Sequence, residues 1–279
     1  MSTETITQPT TAQPTTTQPT TDAPDRGVPV DLSTMPAISM WRLTRVELRK
    51  MANTRSGTWL LIGIGVVTLV VIVAFYASAD ASERTFFNFM AAANGPQGFL
   101  LPVLGILLIT SEWTQRTALV SFTLTPVRGR VLRAKFLAAL VAGLAAIAVA
   151  VLLATLATVI GGSDNAWAQV GVDDLGKVAL LQVTAVVQGL AFGLLFLNSS
   201  AAIVSYFVLP SALNIIGTLW DTLHQVQPWI DLWAAQEPLF RGGANLTGEQ
   251  WAQSVTSTLI WVVLPLAVGL FRVLRAEVK

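Results

Sequence analysis

The sequence predicts an all-α, polytopic membrane protein with six transmembrane helices, and three observations carry that reading. The chain of 279 residues is 53% hydrophobic and 12% charged, with a mean hydropathy of +0.62, which is too apolar and too poor in charge for an ordinary water-soluble domain. Its apolar residues are bunched into uncharged runs: Gly57 to Ala79, Gly95 to Ser111, Phe136 to Ser163, Val178 to Trp220 and Gln250 to Phe271. A bilayer core of about 30 Å is crossed by roughly 20 helical residues, so the run from Val178 to Trp220 is two spans joined by a tight turn near Asn198-Ser199-Ser200. Lys and Arg are segregated along the chain. With the N-terminus in the cytoplasm, six crossings leave only Arg84, Lys177 and Arg241 outside, as expected if basic residues in short loops are retained on the inner face. Five crossings would put Arg272, Arg275 and Lys279 on the wrong side. The outer segments are acidic, with Asp80, Glu83, Asp164, Asp173, Asp174, Asp221, Asp231, Glu237 and Glu249. The net charge of +1 conceals this asymmetry and gives no reason to expect a nucleic-acid partner.

Residues 1–37 repeat Thr, Gln and Pro, as in TQPTTAQPTTTQPTTDAP. They carry too little apolar surface to offset their ordering entropy and read as a disordered cytoplasmic tail. They have neither the basic start nor the apolar core of a cleavable signal, so the first span is expected to remain as an anchor. Residues 39–55, SMWRLTRVELRKMANTR, form the next element. At about 100° per residue, Trp41, Leu48 and Met51 fall on one side of a helix and Arg42, Arg45 and Arg49 on another. This is an interfacial helix on the inner leaflet with its arginines near lipid phosphates, or a helix whose arginines only set topology.

Six spans are then placed at about 57–79, 95–112, 136–161, 176–197, 201–220 and 252–272 by the requirement of roughly 20 apolar residues each. Pro102 is expected to kink or shorten the second. That span ends in Ser111-Glu112-Trp113, and a polar stretch runs from Thr117 to Thr125 before Pro126 stops any helix. Leu119, Phe122 and Leu124 give this stretch an apolar side, suited to docking on another protein or to resting on the bilayer. Arg128, Arg130, Arg133 and Lys135 lead into the third span. In the fourth, Gly189 and Gly193 form a G-x-x-x-G, where small residues let helices approach closely. Thr68, Gln182, Gln188 and Asn214 supply neutral polarity within the spans, as glue between helices or as contacts to something carried across. Pro210 and Pro265 are candidate bends in the fifth and sixth spans. Asp221 to Glu249 is rich in Trp and Pro and is expected at the outer interface, or as a re-entrant lid.

The inventory of reactive groups is short. There is no cysteine, and His224 is the single histidine. HExxH, Gly-x-Ser-x-Gly and GxxxxGK[ST] are all missing from the sequence, so no catalytic residue, metal site or ATP site is expected in this chain. The apolar spans also lack the acidic or basic groups that a secondary transporter uses to bind ions at mid-membrane.

Four segments in order, RLTRVELRKMANTRSGTWLL, SEWTQRT, TPVRGRVLRAK and LFRVLRAEVK, resemble those of the type-2 ABC transporter permeases, over nearly everything after residue 38. The resemblance implies six spans, a pairing with a second permease, and a separate P-loop ATPase on the inner face that uses ATP and Mg2+. It implies that the loop after the second span is a short cytoplasmic coupling helix, with Glu112, Trp113 and Thr117 matching the family's glutamate, aromatic and threonine. Arg116 stands where many members have glycine and is similar to a subgroup reading SEWxQRT. Arg116, Leu119 and Phe122 complete the expected ATPase contacts, and Glu112 is expected to pair with Arg116 at i+4. The implied function is the membrane-spanning subunit of an exporter in the cell membrane, its path lined by parts of the second and fifth spans, with Gln188 and Asn214 as candidate contacts. An ATP-independent six-span transporter and a membrane scaffold without a path are the rival classes.

Overall fold

The computed structural model describes residues 38–115, 127–167, 171–240 and 245–275, with side chains from 225 onward in the helix that begins at Asp221. The tail over residues 1–37 lies outside them. Helix α1 (Met40–Asn53) starts at Ser39, whose Oγ accepts from the Arg42 N–H at 3.3 Å. It is separated from α2 (Arg55–Ser78) by Thr54 alone. Thr54 closes α1 and opens α2, its hydroxyl accepting from the Gly57 N–H at 3.2 Å. A Cβ on Gly57 would lie 2.0 Å from the Met51 carbonyl oxygen, so the corner needs glycine at that position.

The remaining long helices are α3 (Phe86–Thr114), α4 (Arg128–Gly161), α5 (Val172–Phe196) and α6 (Ser199–Leu219), followed by α7 (Asp221–Ile230), α8 (Leu232–Gln236), α9 (Gly248–Thr258) and α10 (Leu264–Arg275). α9 and α10 are joined through a π turn over Leu259–Val263 into one span, Gly248–Arg275. Together with α2 to α6 this makes six helices long and apolar enough to cross a membrane. The protein is an all-α polytopic membrane protein, and all regular structure among the described residues is helical.

The turn between the fourth and fifth spans falls where its sequence places it. α5 ends with Leu197 at φ 53°, and Asn198 caps α6 by accepting from the Ala201 N–H at 3.0 Å. A left-handed leucine costs about 1–2 kcal/mol, which is accepted here for a two-residue reversal. Other boundaries move. The second span begins at Phe86, not near residue 95, and Pro102 does not shorten it. Both Pro96 and Pro102 lie inside a 29-residue helix. Phe86, Phe87, Phe89 and Met90 are buried and draw its first turns into the bundle, so packing extends the helix ahead of the apolar run that begins at Gly95. The third span begins at Arg128 rather than 136 and runs for 34 residues. In the sixth, the π turn ends two residues before Pro265, whose ring and missing N–H the regular i−4 ladder cannot hold.

α3 and α5 form the centre. In their most apolar stretches 56% and 67% of residues are buried, against 17–22% for the other four spans, which leaves those four to face lipid. The close approach rests on small residues. A Cβ on Gly189 would lie 2.2 Å from the Pro102 carbonyl oxygen, and one on Gly105 would lie 2.9 Å from that of Val186. α4 presents Ala139, Gly143, Ala146, Ala150 and Ala154 to the bundle at helical spacing. A buried amide relay crosses the centre: Gln182 donates to Gln97, which donates to the Ala146 carbonyl at 3.1 Å. Gln182 is therefore the glue its sequence context allowed.

The segment after α6 is helical. The Trp261 indole donates to the Ile230 carbonyl at 2.6 Å, and the Ser254 hydroxyl to the Ala235 carbonyl at 2.8 Å. These two bonds fasten α7 and α8 to the sixth span. α1, the end of α3, the start of α4 and the end of α10 share one end of the bundle, rich in Lys and Arg; α7 and α8 lie at the other, acidic end.

Candidate functional site

At the basic end, four charged side chains from three helices form one node. Glu47 of α1 accepts from Lys50 at 2.7 Å through one oxygen and from Lys135 of α4 at 2.8 Å through the other. Glu112, in the last turn of α3, is 2.8 Å from Lys50 and 3.3 Å from Lys135. Lys135 also donates to the Leu108 carbonyl at 3.0 Å. Glu47, Glu112 and Lys135 are buried, at 4%, 7% and 3% exposure. Two carboxylates against two ammonium groups leave no net charge to desolvate, and each ion has two opposite partners, the condition under which a buried pair holds. Burial works against the Lys50 ammonium, but its bonds to Glu112 and Glu47 outweigh it and hold the group above the ordinary lysine value of 10.5.

The opposite side of the same α3 turn is tied by hydroxyls. Thr110 and Thr114 lie 2.7 and 3.3 Å from Ser199, the first residue of α6. The end of α3 is thus clamped to α1 and α4 by charge and to the α5–α6 reversal by hydrogen bonds.

At the acidic end, two adjoining cavities of about 380 and 180 Å³ lie among α3, α5, α6 and α8 and share Gly98, Gln188, Tyr206 and Trp233 in their walls. Phe99 stacks on Phe207 at 6.0 Å and tilts against Trp233 at 5.7 Å. Asp231, 1% exposed, lines the larger cavity. One of its oxygens accepts from Gln227 at 3.2 Å and Asn214 at 3.5 Å, and the other from the Trp233 N–H at 2.9 Å. Asn94, 4% exposed, lines the smaller one, and its Oδ1 has no hydrogen-bond partner among the described residues.

Gln188 and Asn214, the two candidate path contacts, line one cavity. Glu112 is the member of the expected coupling set that the structure places in a network, and Trp113 packs beside the core cluster of Leu104, Leu108 and Leu132. Arg116, Thr117, Leu119 and Phe122 lie outside the described residues. On α1 the periodicity is redrawn. The buried stripe is Thr44, Glu47 and Met51, whereas Trp41 is 69% exposed, so Met51 turns to the protein and Trp41 does not share its face. Arg42, Arg45 and Arg49 are exposed opposite that stripe. Glu47, Lys50 and Lys135 carry no site motif in sequence, because each reads as one more charge in a basic flank. The usable signal was a lone glutamate inside RLTRVELRK, where every other charge is positive. Asp231 reads in sequence as one more outer-segment charge, and Asn94 carries no sequence signal of its own. Compared with known proteins, the sequence matches no family model and no curated protein.

Proposed function

We propose that this chain is the membrane-spanning permease subunit of an ATP-driven export system. It crosses the cell membrane six times, keeps both termini in the cytoplasm, pairs with a second permease and couples to a separate P-loop ATPase. The observation that carries the reading is the clamped end of α3. Glu112 sits where the chain leaves the second span for residues 116–126, and its carboxylate is shared by Lys50 of α1 and Lys135 of α4. A force applied to the segment after Glu112 would pass into three helices at once, because buried ion pairs and packed helices have few intermediate arrangements. Those helices include α3, which also walls the cavity at the other end. A docking loop, a stiff central helix and a cavity at its far end are the parts that transport powered from one side requires. With ATP and Mg2+ used by the partner, this chain needs no site for either. The fold of six neutral spans alone would equally serve other roles, so the clamp and the cavity carry the assignment.

The test is a detergent pull-down of the tagged chain from its native membrane, scored for a co-purifying P-loop ATPase. The same pull-down is repeated with Arg116→Ala/Thr117→Ala, which leaves the clamp untouched. The expected result is an ATPase with the wild type that is lost or much reduced with the variant. Absence of any ATPase, under conditions that retain other complexes of the same membrane, would sink the reading in favour of an autonomous transporter or a scaffold.

A further inference from the structure

Building on the export reading, we propose that the paired cavities at the acidic end bind amphipathic organic cations, with Asp231 as counter-charge and the Asn94 carbonyl oxygen as a second acceptor. Three features of the walls converge on that ligand. A carboxylate that is 1% exposed is expected to face a cation, yet Asp231 is met by two amides and one backbone N–H, and no Lys or Arg among the described residues pairs with it. Capping α8 through the Trp233 N–H accounts for one oxygen. It leaves unexplained why the other is directed at Asn214 in the cavity wall.

Asn94 makes the same demand independently. Its side chain is buried in the wall of the adjoining cavity with Oδ1 unpaired, and an orphaned buried acceptor is costly unless something donates to it. Both groups ask for a donor. A carboxylate or phosphate ligand would meet the buried negative charge of Asp231 and would be rejected by it.

The rest of the wall suits the body of such a molecule. Phe99, Phe207 and Trp233 present stacked and tilted rings, and aromatic faces attract cations while burying apolar surface. The larger cavity alone, at about 380 Å³, is within the range of small-molecule sites of mostly apolar lining with a few convergent polar groups.

The experiment uses the full chain alone in nanodiscs of phosphatidylcholine, which adds no anionic lipid to compete. Equilibrium dialysis measures tritiated 1-naphthylmethylammonium, 1-naphthylmethanol and 1-naphthoate, which share a ring system and differ in charge. The cation is expected to bind most tightly and the carboxylate most weakly. Asp231→Asn is expected to weaken the cation about tenfold or more while leaving the alcohol unchanged, and Asn94→Ala to weaken the cation severalfold. Cation binding no tighter than that of the alcohol, or unaltered in Asp231→Asn, overturns the proposal. Because the comparison of the three probes is made on wild type, it stays decisive even if a variant fails to fold. No ATPase is present, so failure here and failure of the pull-down are separate results.

Discussion

Lys135 shows how one side chain can be read two ways. In sequence it is the last of four basic residues before an apolar run, a topological marker. In the fold it is 3% exposed and holds Glu47 at 2.8 Å and Glu112 at 3.3 Å. Removing it leaves two buried carboxylates sharing Lys50, whose side chain is 43% exposed. Breaking a buried charge network by deleting one partner typically costs about 3–5 kcal/mol, so Lys135→Met is expected to destabilise the protein by that order in reversible unfolding in mixed detergent micelles. The double variant Glu47→Gln/Lys135→Met restores neutrality and keeps Glu112 with Lys50, so its loss should fall short of the sum of the singles by about 1–3 kcal/mol. Strict additivity, or a Lys135→Met loss below about 0.5 kcal/mol, would show that the node is not a coupled unit. Of this node the sequence made only Glu112 legible, through the segment SEWTQRT. Lys50 and Lys135 are far apart along the chain and are brought together by tertiary packing, which no local pattern encodes.

Helices were more legible than their limits. Five apolar runs, one of them about twice too long for a single crossing, give six spans because each must satisfy its own backbone in lipid. Their ends are set by what they touch outside the core: the buried phenylalanines extend α3 back to Phe86, and the basic turns of α4 are ordered against α1 and α10, where Arg128 donates to the Val273 carbonyl at 3.3 Å. The G-x-x-x-G of α5 is weak evidence in sequence but specific in the fold, because Gly189 faces the backbone of Pro102 and Gly193 that of Ile106. In lipid there is little hydrophobic drive between helices, so lost proximity at the α3–α5 crossing is not easily recovered. Gly189→Ala is expected to destabilise by about 1–3 kcal/mol, the range for overpacking a tight contact. Gly63→Ala in α2, where a Cβ meets nothing within 4 Å, should be neutral or slightly stabilising through its higher helix propensity. Equal effects at the two positions, read as midpoints of unfolding in a common detergent series, would mean that the α3–α5 approach does not hold the bundle together.

At the scale of the whole molecule the governing fact is the separation of charge between its ends. Among the Lys and Arg of the described residues, all but Arg84 and Lys177 fall at the end that carries α1, the clamp and the close of α10. Retention of basic flanks on the cytoplasmic side predicts the orientation and with it the side on which the proposed ATPase would reach Glu112. The chain has no cysteine, so single cysteines report this cleanly. Ser82 and Asn245 are exposed at the acidic end, and Asn53 and Gln115 at the basic end. In intact cells a membrane-impermeant maleimide is expected to label Ser82→Cys and Asn245→Cys at once, and Asn53→Cys and Gln115→Cys only after permeabilisation. Agreement between Asn53 and Gln115 also checks the crossing count, since an even number of spans separates them. The reverse pattern would place the node, α1 and residues 116–126 outside the cell, where no cytoplasmic ATPase could dock. The ATP-driven reading would then fall whatever the cavity binds, because the cation site depends on wall chemistry and coupling depends on which way the bundle stands in the membrane.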